Sequence, residues 1–169
     1  MKLTSIAYSL LPVALASATT MVDLSSRGDQ VFFRGNITAP RVDLLLPPRR
    51  TFDFTYRPSN WCGNAYSGVS AWITRTSVVS VNSTGGIDTG GDSFGVLWKY
   101  GDWLQPYNPV LNPPTAGAPP ATLSMPDFTS LGIVPGTVYF HVVETAENCV
   151  NPWGGSTQYG LASVRLINT

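Results

Sequence analysis

Proline and glycine interrupt the chain so often that no window remains long enough for an amphipathic helix. The 169 residues include 16 glycines and 14 prolines. The apolar residues between them do not recur at the three-to-four spacing of a helical face. Short runs rich in Val, Phe, Tyr, Trp and Thr fill the intervals instead, which is typical of β-strands. The sequence therefore predicts an all-β fold.

Eight runs have this strand-like composition. In one of them, Phe52, Phe54 and Tyr56 alternate with polar residues, which predicts a strand with one buried and one solvated face. Seven or eight such strands are typical of a β-sandwich. The runs are QVFFRGNI (30–37), RVDLLLP (41–47), TFDFTYRP (51–58), GVSAWITRTSVV (68–79), SFGVLWKYG (93–101), ATLSMPDF (121–128), TVYFHVVET (137–145) and YGLASVRLIN (159–168).

The first 18 residues have the composition of a secretory signal. Lys2 precedes an apolar run from Ile6 to Ala16, and small residues follow at the spacing that signal peptidases accept. No later stretch approaches the roughly 20 apolar residues of a membrane helix. We therefore expect residues 1–18 to be a signal peptide, and residues 19–169 to be a single secreted, extracellular domain without a membrane span.

Cysteines and glycosylation sequons agree with secretion. The chain has two cysteines, Cys62 and Cys149, and in an oxidising compartment the simplest expectation is that they form one disulfide. Two sequons, beginning at Asn36 and Asn82, predict glycosylation at the surface. The charge is balanced, with ten basic and ten acidic residues. The lack of a basic block argues against a nucleic-acid partner, and we expect a monomer without a cofactor.

The run IVPGTVY (133–139) resembles the entry to strand F of fibronectin type III domains, where a tyrosine corner forms. The resemblance implies an immunoglobulin/fibronectin III-like β-sandwich in which the Tyr139 hydroxyl bonds to the upstream chain. It also implies that Cys62 and Cys149 lie in two loops at the same end, and that Trp72 is a core residue. We likewise expect Trp98, in a predicted strand, to be buried. The implied strands are B (51–58), C (68–76), C′ (93–101), F (137–145) and G (159–168).

The whole chain also resembles small secreted proteins of filamentous fungi. The resemblance rests on the signal, on LLLPPRRTFDFTY (44–56), on PPATLSMPDF (119–128) and on VYFHVVET (138–145). Most such proteins have no assigned activity, so the resemblance implies secretion and an effector-like role rather than a reaction.

Few residues suggest catalysis. His141 and Glu144 are three apart, so on a strand they point to opposite faces and cannot share a ligand. Asp102 and Glu147 are the pair best placed to act as glycosidase carboxyls, if the loops bring them together. We expect the chain not to be an enzyme, and a small glycoside hydrolase is the third alternative.

Two other motifs have simpler explanations. Asp88 and Asp92 lie in a glycine-rich stretch, but the residue spacing of a calcium loop is missing, so we interpret the stretch as a hairpin and expect no metal. Arg27-Gly28-Asp29 matches an integrin-type tripeptide, which short sequences contain by chance.

The strongest functional signal is a set of aromatic residues outside the predicted strands. The segment 101–121 is too rich in proline for a strand and is predicted to be a long loop. With the two cysteine-containing loops, it places six rings at one end of the sandwich, which is typical of a contact surface. The alternative is that these rings pack on the disulfide and cover the core. The residues are Trp61, Tyr66, Trp103, Tyr107, Trp153 and Tyr159.

These observations predict a secreted, non-catalytic β-sandwich that binds a glycan or a protein through aromatic loops, at a cell wall or host surface. The alternative from another class is an effector-like virulence protein that acts on a host protein. The sequence does not distinguish a glycan from a protein partner.

Overall fold

The computed structural model describes residues 35–77, 80–92, 95–108, 117–147 and 157–169. This part of the chain is almost entirely β-structure, which confirms the predicted all-β class. The predicted signal peptide, the Arg27-Gly28-Asp29 tripeptide, Cys149 and Trp153 lie outside the described residues. Within the described ranges, no helix is long and apolar enough to cross a membrane.

Eleven strands and one 3-10 turn, Thr129–Leu131, form the described part of the chain. The strands are β1 (Asn36–Ala39), β2 (Leu44–Leu46), β3 (Thr51–Asp53), β4 (Thr55–Arg57), β5 (Tyr66–Thr74), β6 (Ser80–Val81), β7 (Ile87–Asp88), β8 (Val96–Pro106), β9 (Thr122–Ser124), β10 (Gly136–Ala146) and β11 (Gln158–Asn168).

Five strands form a central sheet in the order β2-β11-β10-β5-β8. Strand β10 lies in the middle and pairs antiparallel with β5 and β11; its pairing with β11 extends from Gly136↔Asn168 to Ala146↔Gln158. Strand β8 pairs antiparallel with β5, and β2 adds a short parallel edge to β11. The long paired strands satisfy most of the backbone donors and acceptors of this region internally.

Short strands cover one face of the central sheet, which we call the core face. Strand β4 pairs with β1 and strand β3 pairs with β9. The predicted alternation of residues 51–57 places Phe52, Phe54 and Tyr56 inward, where all three are buried. The rings of Phe52 and Phe54 meet Phe140 of β10 edge-on, at centroid distances of 5.9 and 5.6 Å. Aromatic packing between the two layers thus forms the main core.

The opposite face, which we call the open face, is only partly covered. The hairpin of β6 and β7 packs Val81 and Ile87 against Val143. The half-buried side chains around this small cluster belong to Trp72, Tyr159 and Leu161. Trp72 therefore lies on the open face and not in the main core, contrary to expectation.

The structure of β8 corrects two predictions, namely that residues 101–121 form one long loop and that Trp98 is buried. Residues 101–106 continue the strand because the edge of β5 supplies their backbone partners, as in the pair Val69↔Trp103. The connection to β9 begins only at residue 107. The expected burial of Trp98 is wrong, since its side chain is 47% exposed at the edge of the sheet.

Tyr139 does not form the expected tyrosine corner. Odd-numbered residues of β10 face the open side, so the Tyr139 ring is only half-buried and stacks on His141 at 6.3 Å. Its hydroxyl makes no hydrogen bond to any described residue. The buried phenol that does tie distant segments together is Tyr56, which accepts from the Gly35 N–H at 3.0 Å and donates to Glu144.

Candidate functional site

The described flanks of three connections meet at one end of the central sheet, which we call the loop end. The pairs Tyr66↔Pro106, Gly68↔Thr145 and Thr145↔Tyr159 put the start of β5, the end of β8, the end of β10 and the start of β11 side by side. The Tyr107 N–H donates to Ala65 O at 3.1 Å, and the Asn64 amide donates to Glu147 O at 3.0 Å. The described flanks therefore adjoin as the fibronectin III resemblance implies.

A buried carboxylate fixes the segment that enters the loop end. Glu144 is 1% exposed on the core face of β10. Its oxygens accept hydrogen bonds from the Tyr56 hydroxyl at 2.7 Å and from the Ser67 hydroxyl at 3.0 Å. Ser59 donates twice, through its hydroxyl at 2.9 Å and through its N–H, which lies 3.0 and 3.1 Å from the two carboxylate oxygens. Burial and the nearby Glu144 charge raise the pKa of Tyr56. Because a buried charge needs this many donors, Glu144 holds residues 56–59 against the sheet.

The turn after Ser59 presents Trp61. Asn60 and Gly63 both have left-handed backbone angles, with φ of 53° and 67°, which asparagine and glycine adopt most easily. The Gly63 N–H closes the turn by donating to Asn60 O at 3.1 Å. Trp61, within this turn, is 45% exposed. The anchored Ser59 on one side and the closed turn on the other thus define where Trp61 projects.

The predicted aromatic residues divide into an exposed and a packed group. Trp61 and Tyr107 are exposed by 45% and 39%, and Tyr66 beside them is half-buried. Trp103 instead packs on the main core, with its ring 5.9 Å from that of Phe54. Tyr159 packs on the second cluster and donates to Ser83 O at 3.3 Å. The structure therefore leaves Trp61 and Tyr107 exposed at the loop end, with Tyr66 half-buried beside the Tyr107 segment, while Trp153 lies outside the described residues.

A cleft of about 500 Å³ opens on the open face beside the loop end. Strands β5 and β8 form its floor, and the turn 82–86 between β6 and β7 forms one rim. Within that turn, the Asn82 side-chain oxygen accepts from Thr84 N–H at 3.0 Å, from the Thr84 hydroxyl at 2.8 Å and from Gly86 N–H at 2.9 Å. This Asx-type turn gives the rim a defined shape.

Two tryptophans, Trp72 and Trp103, and three charged side chains line the cleft. Trp72 donates its indole N–H to the Ser70 hydroxyl at 2.7 Å, and Lys99 Nζ lies 4.8 Å above the ring. Lys99 also pairs with Asp102 at 2.7 Å. Glu147 lines the same cleft as Asp102, so the two carboxyls that the sequence analysis considered do come into one cavity. Sequence reasoning missed Lys99, which a strand register between β5 and β8 would have placed opposite Trp72.

Other candidate residues have structural roles. His141 is fully buried on the open face, on the opposite side of β10 from Glu144, as the strand parity predicts. Its Nδ1 lies 2.7 Å from the Ser163 hydroxyl and its Nε2 lies 2.8 Å from Thr74. Burial lowers the pKa of His141 to about 4. Among the described residues, no group of three potential ligands could hold a metal ion.

The stretch around Asp88 and Asp92 contains turns. Asp88 accepts from Gly90 N–H at 2.9 Å and from the Ser80 hydroxyl at 3.0 Å, contacts that close the end of the β6–β7 hairpin. Both sequon asparagines, Asn36 and Asn82, are exposed.

No protein family, no curated protein sequence and no solved structure matches this chain.

Proposed function

We propose that this chain is a secreted, non-catalytic module that binds a glycan at the loop end and in the adjoining cleft. The observation behind the proposal is the pairing of two exposed rings, Trp61 and Tyr107, on neighbouring segments that the Tyr107–Ala65 hydrogen bond holds together. Exposed aromatic rings on adjoining segments favour a contact surface more than a single exposed side chain does.

A sugar fits the chemistry of this surface. Its apolar ring faces stack on indole and phenol rings, and its hydroxyl edge needs neutral or charged hydrogen-bonding groups nearby. Asn64 and Thr84 supply such groups at the loop end and at the cleft rim, and Asp102 and Glu147 supply acceptors within the cleft. The cleft volume of about 500 Å³ is in the range of small-molecule sites.

We further propose that the fold is an immunoglobulin/fibronectin III-like sandwich with one disulfide. The support is the order β11-β10-β5-β8, which corresponds to strands G-F-C-C′, facing a layer of β1, β3–β4 and β9 that corresponds to A, B and E. For the disulfide, Cys62 and Cys149 are each two residues from the hydrogen-bonded pair Asn64 and Glu147. Cys149 lies outside the described residues, so the bridge stays a prediction.

A glycoside hydrolase is the second candidate, because Asp102 and Glu147 line one cleft. Such an enzyme needs one carboxyl as acid and another as base or nucleophile. Asp102→Asn or Glu147→Gln would then abolish turnover while leaving affinity largely unchanged. In the binding module, the same substitutions change affinity slightly and there is no turnover to lose.

The test is a screen of purified protein against immobilised polysaccharides, with two tryptophan variants of equal exposure. Trp61→Ala should weaken glycan binding by about 2 kcal/mol or more, as truncation of a tryptophan hot spot typically does. Trp98→Ala is the matched control, because Trp98 is 47% exposed on β8, away from the loop end. It should leave binding unchanged.

The outcomes separate the candidates. Equal loss in both variants, or no loss in either, would reject the loop end as the site. Capture of a protein from host extract by the wild type, lost in Trp61→Ala, would move the proposal to the protein partner of an effector-like molecule. Trp103→Ala is unsuitable as a site variant, because its contact with Phe54 makes it a stability variant.

A further inference from the structure

A second cavity, of about 580 Å³, lies away from the loop end. It opens where the edge strand of the central sheet, β2, meets the edge of the covering layer at β1 and β3. Two side chains that line it, Leu46 and Phe52, belong to the main core and are 2% and 5% exposed. The groove therefore reaches the apolar interior between the two layers.

The mouth of the groove is apolar as well. Leu44 and Leu45 line it and are exposed by 37% and 63%, and Val42 next to them is 63% exposed. Together these residues extend the apolar lining of the groove to the surface. Exposed leucines beside a lining that also contains threonines and charged residues fit an amphiphilic ligand better than a wholly apolar one.

Two guanidinium groups flank this apolar lining without a partner. Arg41 and Arg50 both line the groove, and neither is hydrogen-bonded or ion-paired through its side chain to another described residue. Neighbouring basic residues are paired: Arg49 lies 3.1 Å from Asp127, and Arg165 contacts Asp43 at 2.5 Å. The lining includes one acid, Asp53, so the groove has a net positive charge.

We propose that this groove binds a single-chain amphiphile with a carboxylate head, such as a medium-chain fatty acid. The carboxylate pairs with Arg41 and Arg50, since guanidinium groups hold carboxylates through two parallel hydrogen bonds. The chain lies along Leu44 and Leu46, which the alternation of strand β2 places on one side, and reaches Phe52. A monoanion would bring the groove to charge neutrality, and a cavity of this volume is in the range of known ligand pockets.

The experiment titrates the full chain with dodecanoate, below its micelle concentration, and follows backbone amide shifts by NMR. Shifts should be confined to residues 38–53. Dodecanol, which has the same chain without the charge, and acetate, which has the charge without the chain, should each bind at least about tenfold more weakly.

Charge variants then test the two arginines. Arg41→Gln with Arg50→Gln should weaken dodecanoate binding by about tenfold or more, since bonds to charged groups are the strong ones. Arg57→Gln with Arg75→Gln removes the same charge from exposed positions outside the groove lining and should leave binding unchanged. Thermal melts of both double variants establish that each is folded.

Three results would overturn the proposal. The first is an absence of saturable binding of dodecanoate to the monomeric protein. The second is an equal effect of the two double variants, which would indicate a general response to net charge. The third is association with anionic vesicles but not with dodecanoate, which would make the surface a membrane contact. Glycan binding at the loop end is measured separately and is independent of all three.

Discussion

The two faces of the central sheet have the same alternation of side chains but are covered to different extents. The core face meets β1, β3, β4 and β9, which bury Phe140 completely among Phe52, Phe54 and Tyr100. Among the described residues, the open face meets only the small β6–β7 hairpin, which leaves a cleft beside Trp72. Stability is therefore expected to come mainly from the core face, while the open face contributes the cleft.

Each face also buries one ionisable residue of β10, with different consequences. Glu144 on the core face accepts hydrogen bonds from three side-chain hydroxyls and one backbone N–H, and these tie residues 56–59 to the sheet. His141 on the open face is satisfied by two hydroxyls alone. Thr74 donates its proton to Thr76 O, so it accepts from His141 Nε2–H; with a pKa of about 4 the ring carries no second proton at neutral pH, so Nδ1 accepts from the Ser163 hydroxyl. The buried imidazole is thus neutral.

The largest expected difference between the two faces is the loss of folding stability when a buried aromatic side chain is removed. Phe140→Ala should destabilise the protein by about 3–5 kcal/mol, as expected for a fully buried aromatic residue. Trp72→Ala should cost about half as much, because the ring is only half-buried on the open face. Chemical denaturation of both variants measures their free energies of unfolding relative to the wild type. Equal losses would mean that the open face contributes as much to stability as the core face.

The next effect is the pH dependence that His141 introduces. Its pKa is about 4 when folded and about 6.5 when unfolded, so the unfolded state binds the proton more readily. Stability from this residue is complete above pH 6.5 and is lost as the pH falls to 4, by about 3 kcal/mol.

The measurement is the free energy of unfolding between pH 4 and 7. His141 is the single histidine of the chain, so His141→Asn removes the group that titrates in this window. A variant whose stability falls as steeply as that of the wild type between pH 6.5 and 4.5 would contradict the assignment.

The smallest effects concern three phenol groups. Tyr56→Phe should cost about 1–3 kcal/mol, because it leaves Glu144 and the Gly35 N–H each without one partner. Tyr100→Phe should be neutral or slightly stabilising, since its buried hydroxyl has no hydrogen-bond partner among the described residues. Tyr139→Phe should also be neutral. A large loss at Tyr139 alone would restore the tyrosine corner that the sequence resemblance implies.

Much of the fold follows from local sequence pattern. The frequent prolines and glycines exclude long helices, and the alternation of Phe52, Phe54 and Tyr56 predicts which face of that segment is buried. Strand parity also separates His141 from Glu144 correctly. The sequence does not predict which strands pair. Residues 101–106 have the composition of a proline-flanked loop, but they form a strand because the edge of β5 supplies their hydrogen-bond partners. Trp103 was predicted to lie in a loop for that reason, whereas the expected burial of Trp98 is wrong because β8 is an edge strand of the sheet.

The sequence by itself determines the all-β class and the alternation of side chains along β10, while the adjacency of the segments at the loop end was implied by the fibronectin III resemblance. Periodicity is a local property, so it can be read without knowledge of the fold. Tertiary structure decides which face is covered, which aromatic rings stay exposed, and where charges meet. The position of Lys99 beside Trp72 arises from the pairing of β5 with β8, and the groove beside Arg41 and Arg50 arises from the packing of one layer on another. Such contacts depend on register and layer geometry, which residue spacing alone does not specify.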